Sequence, residues 1–78
     1  MNKFVDGPWE VIEVGGVFDI NARLGTVVTA YGIDNANLIA AAPDMYAAIQ
    51  DALGDYEAGE PIREYELRNA LIKARGEA

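Results

Sequence analysis

Val11-Ile12-Glu13-Val14-Gly15-Gly16-Val17-Phe18-Asp19-Ile20 is the stretch on which the fold turns. Two runs of β-branched and aromatic residues flank a pair of glycines. Such residues favour pleated surfaces, and a Gly pair between apolar runs signals a tight hairpin. Outward from the glycines, Trp9 to Val14 reads as one strand and Val17 to Ala22 as its partner. Phe18, Ile20 and Leu24 alternate with Asp19, Asn21 and Arg23, a period of two that turns Phe18 and Ile20 inward. Leu24-Gly25 makes a second turn, and Thr26 to Tyr31 a third strand of β-branched character. Gly7-Pro8 opens the ordered region as a turn. The expected product is a three-stranded antiparallel meander over about residues 9–31. It is too small to stand without a helical cover.

Downstream of the sheet the period changes. Gly32 ends the third strand and Asp34 is placed to cap a helix beginning near Asn35. Leu38, Ile39 and Ala42 form its apolar side. Pro43 then interrupts, because it lacks an N–H and clashes with the turn before it. Proline also suits the first turn of a new helix, with Asp44 facing the positive end of the dipole. An elbowed helix pair over about residues 35–54 follows. In its second arm Met45, Ala48, Ile49, Ala52, Leu53 and Tyr56 form a regular core stripe. Gly54 is placed to end it and Asp55 to Glu60 to form a polar loop. Pro61 starts a last helix over about residues 61–75. Leu67, Leu71 and Ala74 lie on one side of it, Glu64 and Arg68 form an i, i+4 pair, and Gly76 to Ala78 should fray. The fold class is α+β, in a single small domain over residues 1–78.

Composition bounds the chemistry. The chain has 78 residues, 13 Asp and Glu against 6 Lys and Arg, a net charge of −7, and neither Cys nor His. That removes disulfides, thiolate or imidazole metal ligands, and Cys or His catalysts. Much of the apolar share is alanine. The core is therefore expected to lean on Trp9, Phe18, Leu24, Leu38, Ile39, Met45, Ile49, Leu53, Leu67 and Leu71, with homo-oligomerisation as one way to add buried area. No apolar run approaches a membrane span, and Met1 to Asp6 lacks a signal-peptide core. A reducing cytoplasm is the expected setting. The negative balance opposes binding to nucleic acid or anionic lipid and favours a basic protein partner.

Candidate binding residues follow from the charge. Asp44, Asp51 and Asp55 project from the side of the second helix opposite its apolar stripe, and Glu57, Glu60 and Glu64 carry the charge onward. Tyr46, one step past Met45, should be half exposed and suited to an interface, whereas Tyr56 fits the core stripe. An ordinary solvated face accounts for the same carboxylates. No paired carboxylates share an apolar pocket, no calcium-loop spacing occurs, and no phosphate-binding glycine motif is present. No catalytic residue, cofactor or metal is expected, nor is enzymatic activity.

Two segments together carry a resemblance. Gly7-Pro8-Trp9-Glu10-Val11 and Asn35-Ala36-Asn37-Leu38-Ile39-Ala40-Ala41-Ala42-Pro43-Asp44 resemble a widespread group of small phage and prophage accessory proteins. These share an N-terminal Gly-Pro-Trp and a Leu-Ile-Ala-Ala-Ala-Pro-Asp helix, and the resemblance covers most of residues 7 to 54. Asp34 stands where the pattern has Ala, Asn37 where it has Arg, and Met45-Tyr46 where it has Leu-Leu. The resemblance implies phage origin and a host bacterial cytoplasm, and brings no catalytic residues with it. With the size and charge, it leads to an accessory protein that binds and inhibits a host defence complex, such as a CRISPR effector, through its acidic surface. An oligomeric nucleotide-sequestering protein and a structural or assembly accessory are the alternatives.

Overall fold

The computed structural model describes residues 4–77. Residues 1–3 of the N-terminal reading, and Ala78 of the C-terminal one, lie outside them.

Three strands, β1 (Glu10–Val14), β2 (Val17–Ala22) and β3 (Gly25–Ala30), form an antiparallel sheet of order β1-β2-β3. Gly15 and Gly16 turn between β1 and β2 with φ of 57° and 86°, a conformation that needs residues without a side chain. The register pairs Val11 with Ile20 and Glu13 with Phe18, then Phe18 with Ala30 and Ile20 with Val28. Opposed residues share a face. Val11, Phe18, Ile20 and Ala30 therefore look toward the helices, as the alternation predicts. On the other face Thr29 donates to Asp19 at 2.7 Å and Thr26 to Asn21 at 2.9 Å, a polar ladder facing water.

The helices are α1 (Ile33–Ala40), α2 (Ala42–Ala58) and α3 (Glu64–Ala74). The elbow lies at Ala41, with Pro43 in the first turn of α2, as expected. Four details differ from the sequence reading. First, α1 starts at Ile33; Asp34 sits within its first turn and caps nothing, while Asn35 Nδ2 donates back to Tyr31 O at 3.2 Å. Second, α2 runs through Gly54 and Asp55 to Ala58. It ends at Gly59, where φ is 74° and the Gly59 and Glu60 N–H groups bond to Tyr56 and Asp55 carbonyls. A mid-helix glycine costs only about 1 kcal/mol, less than the contacts Asp55 gains by staying helical. Third, α3 begins at Glu64 rather than at Pro61: Arg63 stands at its boundary with a non-helical backbone (φ −80°, ψ 86°), and its N–H donates to the Asp55 carboxylate at 3.3 Å. Fourth, Gly76 and Glu77 do not fray: their N–H groups bond to Lys73 and Ile72 carbonyls, a closed helix end.

The core departs further. Ile20, Ala30, Ala36, Ala40, Ala41, Ala48 and Ala70 are buried, and Ile20 is the only large one among them. Trp9, Val11, Phe18 and Ile39 pack half-buried around Ile20, and Met45 and Leu67 are also half-buried. Leu24, Leu38, Ile49, Leu53 and Leu71, expected inside, are exposed, and so is Tyr56. The layering explains this. α1 alone covers the sheet, α3 packs on α1 and α2, and α2 does not touch the sheet. Small alanines let the helix backbones approach closely, leaving the large side chains of α2 outside. The molecule extends over 48 × 28 × 14 Å with a radius of gyration of 13.9 Å, against about 11.5 Å for a typical compact chain of this length.

Candidate functional site

The candidate residues fall on the antiparallel hairpin of α2 and α3, and ion pairs join its two helices. Arg63 grips Asp55 with two donors, Nε to Oδ2 at 3.0 Å and Nη2 to Oδ1 at 3.2 Å. Its other contacts are to Glu66 at 3.7 Å and Asp51 at 4.0 Å. At the opposite end Lys73 Nζ meets Asp44 Oδ2 at 2.6 Å. The Asp44, Asp51 and Asp55 spacing puts all three on the α3 side of α2, half-buried. They do point away from the apolar stripe, as the sequence reading has it, but into the helix junction rather than into open solvent.

These contacts set the local acidities. Hydrogen bonds from Arg63 hold the Asp55 carboxyl below the usual range, and Asp55 in turn strengthens the hold of Arg63 on its proton. Burial pushes Glu66 the other way, upward, aided by the neighbouring Asp51 carboxylate. Glu66 Oε2 is buried without a hydrogen-bond partner.

The remaining candidates lie toward the closed end of the hairpin. Glu64 pairs with Arg68 at 3.4 Å, as the i, i+4 spacing predicts. Both side chains are largely exposed, so the pair contributes about 0.3–0.5 kcal/mol. Glu57 and Glu60 are exposed and make no ion pair among the described residues. Tyr56, Ile62 and Tyr65 are exposed at the same end. Tyr46 sits apart, near the elbow, half exposed as expected and edge-on to Phe4 with centroids 5.0 Å apart. The seven candidates thus divide: Asp44, Asp51 and Asp55 stitch the helices, Glu57, Glu60 and Glu64 face solvent at the hairpin end, and Tyr46 belongs to a separate apolar face.

Between the hairpin and β1 runs an open groove of about 770 Å³, lined by Glu10, Asp44, Asp51, Glu66, Asn69 and Lys73 among others. It is large enough for a small ligand. Its four carboxylates face a single lysine that Asp44 already engages, so a phosphate group entering it meets net repulsion. Among the described residues no three Asp or Glu side chains are grouped to hold a metal ion, and no helix is long and apolar enough to cross a membrane.

Sequence reasoning missed two features. Arg63 is the organising cation of the hairpin, yet nothing local marks it, since its partners come from the preceding helix. The exposed seam of α2 did have a signal: Tyr46, Ile49, Leu53 and Tyr56 are spaced 3-4-3, a heptad seam that faces a second helix.

No curated protein and no solved structure matches the chain. The family model described as Salmonella phage P22 protein Y8K6 matches residues 1–78, its whole length. With phage origin thereby in agreement with the resemblance carried by its two motifs, the chain belongs to the Salmonella phage P22 protein Y8K6 family.

Proposed function

We propose that this phage protein acts by contact, binding a host protein with a basic surface, and that its target class is a bacterial defence complex such as a CRISPR effector. The observation that carries the reading is the closed end of the α2–α3 hairpin. There Glu57, Glu60 and Glu64 stand in solvent beside exposed Ile62 and Tyr65, on a chain of net charge −7. Glu57 and Glu60, which make no ion pair among the described residues, steer a basic partner over long range. Tyrosines supply the contact area that dominates binding once partners meet. Inhibition then follows from occupying a surface that the defence complex needs for nucleic acid.

Affinity purification from host lysate at physiological salt, with mass spectrometry, tests this. A defence-complex subunit should be retained by the native chain and lost with Glu57→Lys/Glu60→Lys. Reversing Asp44, Asp51 or Asp55 would break the helix junction instead, so those positions are unsuitable. Failure to recover any specific partner defeats the reading.

A further inference from the structure

We propose that the uncovered face of α2 is a homodimer interface, where a second copy of the chain lays its own α2 antiparallel across Tyr46, Ile49, Leu53 and Tyr56. The two α2–α3 hairpins then close into a four-helix bundle.

The seam is built for a helix. Its 3-4-3 spacing places the four residues in one line along α2, and they are 48%, 62%, 57% and 73% exposed. Met45 and Ala52 flank the line and widen it to the apolar face of a bundle helix rather than a narrow zipper. Leu67 and Leu71 extend it across the hairpin. On an antiparallel pair their positions fall on the same side as Ile49 and Leu53, opposite the groove that Ala47, Asp51, Asn69 and Ile72 line.

The area matches a second copy. The chain exposes 5685 Å², whereas a compact monomer of its mass exposes about 4,600 Å². The excess, about 1,100 Å², is close to the roughly 800 Å² that each partner contributes to a standard interface. Charge selects the occupant. Each copy carries −7, yet Tyr46, Ile49, Leu53 and Tyr56 are all neutral. A basic partner finds no carboxylate there to pair with, while two acidic copies can meet without repulsion on the seam itself.

Charge also sets the direction. A parallel pairing stacks Glu57 and Glu60 of both copies at one end, and an antiparallel one separates them. The spacing is symmetric about residue 51, so antiparallel pairing sets Ile49 against Leu53 of the second copy and Tyr46 against its Tyr56.

Light scattering after size exclusion, across micromolar concentrations of the full chain, should give twice the monomer mass of 8.4 kDa. Leu53→Glu should halve the observed mass with the helical circular dichroism retained, since Leu53 is exposed in the single chain. Val14→Glu, on the outer face of the sheet, should leave the dimer intact. Because the chain has no cysteine, mild oxidation of mixed Ile49→Cys and Leu53→Cys chains should cross-link one variant to the other, whereas Tyr46→Cys alone should not cross-link. A wild-type mass of 8.4 kDa throughout, or a dimer unmoved by Leu53→Glu, overturns the interface. Efficient cross-linking of Tyr46→Cys to itself overturns the antiparallel register.

Discussion

Gly7 rests against Pro43, so closely that a Cβ on residue 7 would lie 2.8 Å from the Pro43 Cβ and 3.2 Å from its Cγ. The contact ties the Gly-Pro-Trp segment to the elbow between α1 and α2, the two stretches whose strings carry the family resemblance. Pro43 is buried, its ring is rigid, and the neighbouring Trp9 indole is held by a 3.0 Å hydrogen bond to Val5 O. None of these groups yields easily to an added methyl. Gly7→Ala should therefore destabilise the fold by about 1–3 kcal/mol, the usual cost of overpacking. A thermal melt checks it, and an unchanged midpoint would mean that the segment moves aside.

Gly54 is the opposite case. It lies inside α2, and a Cβ there meets nothing within 4 Å. Gly54→Ala should stabilise the protein by about 0.5–1 kcal/mol through helix propensity and reduced freedom of the unfolded chain. The same melt measures it. A loss of stability would place the position against a surface that the single chain does not show.

Local rules carried the fold, and their limits were physical. The Gly15-Gly16 turn, the inward Ile20 and the Pro43 elbow follow from steric and periodic constraints a few residues long, and each is where those constraints put it. The end of α2 was illegible because Gly54 looks like a stop. What carries the helix past it is Arg63, whose grip on Asp55 is tertiary. The core was misjudged for a related reason. A stripe at Met45, Ile49, Leu53 and Tyr56 says that a face will be covered without saying by what, and α1, not α2, occupies the sheet. For the candidate site, charge was visible and pairing was not: Asp44 and Asp55 read as free until Lys73 and Arg63 are placed beside them.

Asp55 makes the stability pH-dependent in a defined direction. Its carboxyl is held below the ordinary value of 3.8 by Arg63. A lowered folded-state pKa gives stability that is present above the unfolded value and is lost as pH falls from there through the lowered folded value. Asp55→Asn should thus lower the melting midpoint at neutral pH, with the difference from wild type shrinking as the pH drops below about 4. The comparison isolates this group, since the background titration of other carboxylates is common to both chains. A pH-independent difference would assign the loss to geometry rather than to charge.

Glu66 runs in the other direction. Burial and the nearby Asp51 raise its pKa above the ordinary 4.5, so the ionised form costs stability that protonation restores. The folded state is best favoured below 4.5, where both states are protonated, and that advantage is lost as pH rises through the raised value. Glu66→Gln keeps the shape, removes the buried charge, and gives the orphaned Oε2 position a group able to donate toward Asp51. Arg63 loses one partner at 3.7 Å but keeps its two hydrogen bonds to Asp55. The variant should melt higher than wild type at neutral pH, with the advantage narrowing in acid, the reverse of Asp55→Asn. A lower melting midpoint at neutral pH would show that attraction to Arg63 outweighs the burial of Glu66.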